Sequence, residues 1–260
     1  MQIQYQLVAS RSGWQQARHA AERALSINSA SAAAHAVLGL VHALEEFDWD
    51  AADSELKLAL QADPNSTETL LLSANVLVAR GELQTAIQRV DAAIAIDPLS
   101  PELAESRAIF LYFSGDLAAA ESAIRRCLEI SPTYAYAPFV LARILLARGE
   151  RDAALREAEQ ESPDGGKDIG LAVVNYALRK QRESDGAIAR LTRQRGELWP
   201  YAVAQAHANR GERKLALDWL DNAYEARDSD LQFVLYDPLL ESVRGDSRFK
   251  ELLRKMHLSE

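Results

Sequence analysis

The sequence predicts an all-α chain, a superhelical solenoid of about seven helical hairpins with a C-terminal capping segment. Two observations carry that prediction. Four columns of residues recur at a 34-residue interval: Gly81, Gly115 and Gly149; Ala52, Ala86, Ala120 and Ala154; Ala59, Ala93 and Cys127; Pro64, Pro98 and Pro132. Alanine and leucine, both strong helix formers, dominate a composition that is 48% hydrophobic but only 7% aromatic.

Each column has a physical task. The glycine ends a first helix where the backbone must turn into a left-handed conformation. The alanine five residues later opens a second helix that passes close to the first, where a larger side chain would overpack the contact by about 1–3 kcal/mol. The next small residue lies two helical turns further along that face. The proline then stops the second helix, because it has no amide hydrogen to donate. In "DPLSPE", Ser100 suits the cap of the following helix and Pro101 its first turn.

Along the chain, "WQQARHAAERALSI" reads as the second helix of a first unit whose opening helix would lie within "MQIQYQLVAS". The step from Ala24 to Ala59 is 35 residues, and the extra residue falls in "EEFDWDAA". Three regular units follow, the last with a shortened second helix that ends at the loop-like "ESPDGGKD". A weak unit pairs "LAVVNYALRK" with "ESDGAIARLTRQ", and a clearer one pairs "PYAVAQAHANRG" with "RKLALDWLDNAYEARD". In the tail, Asp237 caps a turn opened by Pro238 and Asp246 caps a last amphipathic helix, an ending expected to cover the final unit's apolar face.

Composition narrows the function. A formal net charge of −9 argues against nucleic acid, whose phosphates demand clustered Lys and Arg. The short basic spot at Arg179, Lys180 and Arg182 reads as a solvated helix end. No apolar run approaches the roughly 18 residues of a membrane span, and the N-terminus does not read as a signal peptide. The chain therefore reads as soluble and cytoplasmic, or periplasmic if a longer protein carries a span before it. A single cysteine, Cys127, excludes an intrachain disulfide and reads as a small buried residue in an alanine column. His35 and His42 lie seven apart rather than at the four-residue spacing of helical zinc ligands, so no metal or cofactor is expected. With no nucleophile elbow and no phosphate loop, no enzymatic activity is expected either.

A 34-residue hairpin unit with these columns resembles the tetratricopeptide repeat. Gly39, Ala74, Ala108, Ala142 and Ala204 occupy the family's small position in the first helix, while its frequent Trp is replaced by residues such as Leu70, Ala104 and Pro138. The resemblance implies a right-handed superhelix over residues 1–260: a truncated first repeat at 1–31, regular repeats at 32–163, divergent repeats at 164–228 and a cap at 229–260. Its first helices would line a concave face that binds a protein or peptide segment. On that basis the candidate groove residues are Leu71, Asn75, Val78, Tyr112, Phe113, Tyr136, Phe139, Arg143, Tyr176, Tyr201 and Gln205, with Glu105 and Ile109 beside them. The alternative for each is a core contact. The clamp that grips chaperone carboxylate termini is not matched, because its lysine position holds Leu71. The insertion at Asp48-Trp49-Asp50, the short unit around "REAEQESPDGG" and the ending "YDPLLESVRGDSRFKELLRKM" further resemble the C-terminal repeats of bacterial multidomain signalling proteins. Such relatives carry winged-helix, adenylate cyclase or kinase modules, and the chain reads as one domain of a longer regulator. Self-association of a linked module is the second reading, and an enzyme on a helical array a remote third.

Overall fold

A computed structural model describes residues 11–162 and 166–258. Among these, fourteen α-helices and no strands are present: α1 Arg11–Ile27, α2 Ala32–Val41, α3 Trp49–Ala62, α4 Thr67–Ala79, α5 Leu83–Ile96, α6 Pro101–Ser114, α7 Leu117–Ile130, α8 Ala137–Ala147, α9 Arg151–Gln160, α10 Lys167–Ala177, α11 Gln181–Arg195, α12 Pro200–Asn209, α13 Arg213–Ala226 and α14 Ser247–Lys255. From α2 onward they pair as hairpins, α2 with α3 through to α12 with α13. The opening helix expected within the first ten residues lies outside the described chain.

The columns do what the sequence predicts of them. Ala52, Ala86, Ala120, Ala154, Ala59, Ala93 and Cys127 are all 0% exposed, so helix pairs approach with no space for an added methylene. Ser31, Ser66 and Ser100 accept hydrogen bonds from the amides of Ala34, Thr69 and Leu103, capping α2, α4 and α6. Gly81, Gly115 and Gly149 take φ of 87°, 84° and 83°. One period before Gly81 the same left-handed position falls on Phe47, at φ 54°. The extra residue of that unit is absorbed as a single π-helical turn, His42–Glu46, at the end of α2.

Phe47 bears a bulky side chain where glycine is preferred, and its surroundings hold it there. The residue is 2% exposed, its ring stacked on Tyr224 with centroids 5.4 Å apart, and the Arg227 guanidinium lies 5.0 Å from the same ring's centroid. Tyr224 and Arg227 belong to the end of α13, so the first complete hairpin meets the last. Trp49 Nε1 donates to the Met256 carbonyl at 2.6 Å, and Arg227 Nε donates to the Glu45 carbonyl at 2.8 Å. Val41, Phe47 and Trp49 share one apolar cluster with Leu220, Phe249 and Met256. The array of hairpins thus returns on itself.

The ending therefore does more than cover the final unit. After α13 the chain forms two 3₁₀ turns, Ser229–Phe233 and Pro238–Val243, that run across the inner side of the array. Leu231, Val234, Leu240 and Val243 are 0% exposed there. Phe233 meets the rings of Phe110 and Phe113 on α6, and Tyr236 Oη donates to the Gly81 carbonyl at 2.5 Å. Only then does α14 pack on α13.

Trp49→Ala removes an aromatic side chain and leaves the Met256 carbonyl without its donor, so it is expected to cost about 3–5 kcal/mol. Urea unfolding would measure this beside Leu99→Ala, a change at a 65% exposed residue that is expected to stay within about 0.5 kcal/mol. Equal midpoints for the two variants would refute the closure.

Candidate functional site

Three elements converge on one buried carboxylate. Asp237, 1% exposed, opens the second 3₁₀ turn and caps it by accepting from the Leu239 amide at 3.0 Å. The same carboxylate pairs with Arg143 of α8 at 2.7 Å and accepts from Tyr201 Oη at 3.3 Å. Gln205 Nε2, one turn along α12 from Tyr201, is a fourth donor to it. Arg143 is itself buried, its guanidinium 4.9 Å from the Tyr112 ring centroid and 5.4 Å from that of Phe139. Burying these charges is tolerable because they are paired and hydrogen-bonded.

Beside this node the inner face is open. A cavity of about 450 Å³ is walled by Phe113, Tyr136, Phe139, Val140, Ile169 and Trp199, with Arg143 and Asp237 at its edge. A second, of about 560 Å³, runs toward α2 and α4 past Asn75, Ser106 and Tyr134. Glu105, Ile109, Tyr136, Trp199, Asp230 and Phe233 line both, so the two adjoin, and together they are called the chamber. Both volumes fall in the range of ligand pockets. Gly166, at the start of α10, sits where an added Cβ would lie 2.7 Å from the Phe139 ring, and this close approach sets the start of α10 against the chamber wall. Glu161, 2% exposed, fixes the same corner by accepting from the Phe139 amide at 3.2 Å.

The chamber's electrostatics are unusual. Burial pushes the Glu105 carboxyl up to about 8, aided by the neighbouring Glu102 carboxylate and opposed by a hydrogen bond from Tyr134. Burial also raises Asp230, with the carboxylates of Asp228 and Asp237 adding to the effect and Arg143 opposing it. Asp228 is raised by burial as well, against hydrogen bonds from the amides of Tyr201 and Asp230. Cys127 is buried, and its thiol is pushed up to about 12 by burial and by Glu105.

The candidate groove residues divide accordingly. Leu71 and Asn75 line the second cavity, Phe113, Phe139, Arg143, Tyr201 and Gln205 the first, and Tyr136 both. Val78, Tyr112 and Tyr176 line neither, and the burial of Val78 and Tyr112 corrects their assignment to a free inner surface. Val78 is 0% exposed within the core, Tyr112 is buried beneath Arg143, and Tyr176 donates to the Arg210 carbonyl at 3.2 Å. Arg143, Tyr201 and Gln205 are likewise not free, because the chain's own Asp237 engages them. Glu161, Trp199 and Asp230 each sit in a turn or irregular segment outside the repeat columns, where no periodicity marks them. Asp237 was legible only as a cap.

An array of helical hairpins with these columns defines a helical-repeat scaffold. Residues 43–109 match the sequence model of the tetratricopeptide repeat, so the chain contains repeats of that family. A 98-residue stretch is 34% identical to the TPR repeat-containing thioredoxin TTL4 of Arabidopsis thaliana; it covers 36% of this chain and 14% of that protein's length. Among solved structures, Pseudomonas aeruginosa pilF aligns over 71% of this chain and 86% of its own, with 22% identity and a TM-score of 0.59. The Cut9-Hcn1 hetero-tetramer of the APC/C aligns over 94% of this chain and 46% of that one, with 11% identity and a TM-score of 0.64. These likenesses are of fold.

Two predictions follow from the buried charges. Asp237→Ala leaves Arg143 uncompensated and is expected to cost about 3–5 kcal/mol, whereas Asp237→Asn, which keeps the shape and some hydrogen bonds, costs less. Denaturant midpoints of the two variants at neutral pH test this, and equal losses would count against the pair. For Glu105 the folded carboxyl ionises near pH 8 and the unfolded one at about 4.3. The folded state therefore holds the proton more tightly across that window, and Glu105 favours folding less and less as pH rises through it. Glu105→Gln is expected to stabilise the fold by a few kcal/mol, roughly, near pH 8 and far less near pH 4. A pH-independent difference in melting would refute the assignment.

Proposed function

We propose that the chain is a non-catalytic scaffold that takes a segment of a partner protein into the chamber on its inner face. The observation that supports this best is the set of half-buried aromatics, Phe113, Tyr136, Trp199 and Phe233, around open space that the chain's own C-terminal segment leaves unfilled. Aromatic side chains in a partly desolvated pocket are the groups that dominate protein-binding energy. Burial raises the Glu105 carboxyl, and the buried Cys127 thiol, pushed up likewise, is a poor nucleophile. A regulatory role within a bacterial signalling protein, such as an adenylate cyclase or transcriptional regulator, rests on the sequence resemblance alone.

The test uses paired variants. Phe113→Ala with Tyr136→Ala is expected to weaken capture of the partner from native lysate by about tenfold or more, while far-ultraviolet circular dichroism stays unchanged. Leu99→Ser and Leu215→Ser, on the outer surface, are expected to leave capture intact. Undiminished capture by the chamber variant would sink the proposal.

A further inference from the structure

The geometry points to the occupant's chemistry: a polypeptide segment that inserts a lysine or arginine side chain among Glu105, Asp230 and Tyr136, its main chain facing Trp14. This rests on the scaffold reading and adds to it the sign of the charge. Three observations carry it.

The first is placement. Glu105, 7% exposed, and Asp230 line both cavities where the two meet. The charged groups acting on Glu105, namely Glu102, Asp230 and Glu161, are all carboxylates, and its hydrogen bond comes from the neutral Tyr134 phenol. The second is the balance of charge around the space. Glu102, Glu105, Glu197, Asp228, Asp230 and Asp237 face three cations, Arg143, Arg195 and Arg227. Arg143 is taken up by Asp237, and Arg227 is bound to backbone carbonyls and to the rings of Phe47 and Tyr224. Arg195 lies over Trp199, 4.8 Å from its centroid, and lines the second cavity beside Tyr136, on which its charge acts. An entering ammonium or guanidinium would meet carboxylates and the ring of Tyr136, both attractive to a cation.

The third observation is independent of the acids. Trp14, 4% exposed, lines the first cavity, and its Nε1 has no hydrogen-bond partner among the described residues. A buried indole N–H calls for an acceptor. A basic side chain alone offers no acceptor, but the carbonyls of the peptide bearing it do. Together, acids for the side chain and a donor for the main chain select a basic polypeptide over a simple amine.

Cation entry favours the ionised form of Glu105, so affinity should rise with pH through the range where that group and Asp230 titrate, with Glu102, Tyr134 and Glu161 as its other titratable neighbours. The probes are fluorescein-labelled Ala-Phe-Ala-Lys-Ala-Phe-Ala and its counterparts with norleucine or glutamate in place of lysine, titrated with the full chain by anisotropy. At about pH 8 the lysine peptide is expected to bind about tenfold tighter than the norleucine one, and the gap should narrow toward about pH 5. Glu105→Gln should abolish the preference, and Asp230→Asn serves the same purpose should the first variant fold poorly. Trp14→Phe should weaken lysine and norleucine peptides alike. Equal binding of all three peptides, removed by Tyr136→Ala, would overturn the charge assignment and leave the scaffold reading standing. Tightest binding of the glutamate peptide, or no binding of any, would also overturn it; the scaffold reading is then decided separately by the capture experiment.

Discussion

Asp237 is the constraint on which the rest of the inner structure depends. A carboxylate that is 1% exposed is stable only where cations and donors replace its water, and Arg143, Tyr201, Gln205 and the Leu239 amide do so. These donors come from α8, α12 and the segment 228–243 itself, a strap that carries the two 3₁₀ turns, so satisfying one side chain fixes its path across the array. The apolar side chains beside it, Leu231, Val234, Leu240 and Val243, are then fully buried, while burial of Asp228 and Asp230 in the same segment raises their carboxyls. With the strap seated, α14 reaches the first complete hairpin, where Trp49 and Phe47 lock the two ends together.

That arrangement changes what the repeats can do. An open solenoid offers its whole concave face to a partner, with residues of successive first helices in a row. Here the strap takes the middle of the face, and Arg143, Tyr201 and Gln205, which would otherwise project from it, are spent on internal contacts. The free surface contracts to a chamber whose walls come from both the repeats and the strap. Its shape therefore depends on the whole chain being folded, and a fragment of two or three repeats would lack Phe233, Asp230 and Trp199 together.

The hairpins were legible because their signal is local and repeated. Each glycine, alanine and proline column reports a contact within one unit or with the next, so the interval of 34 residues prints the fold directly on the sequence. The extra residue was visible as an interval of 35, although its form as a π-helical turn was not, since any insertion shifts the count equally. The strap was opaque for the opposite reason. Arg143 and Asp237 are 94 residues apart, and Trp49 and Met256 are 207 apart, each contact occurring once. A unique long-range pair leaves no periodicity, and an Asp-Pro at a helix start reads as a cap whether or not its second oxygen meets a buried arginine. Val78 and Tyr112 were misplaced by the same limit, because helical phase gives a face but not what covers it.

Glu105 joins stability to recognition. Its carboxyl is held up near 8 because the closed array removes water from it while crowding other carboxylates nearby. Near neutral pH the folded chain therefore favours the protonated acid, whereas the unfolded chain releases the proton. A cation bound in the chamber reverses that preference by supplying the charge that water would have screened. By linkage, whatever binds the ionised form must lower its ionisation pH and stabilise the fold by the same free energy. The cost of burying the acid and the affinity for a basic partner are thus two measures of one interaction, and substituting Glu105 would relieve the first only by giving up the second.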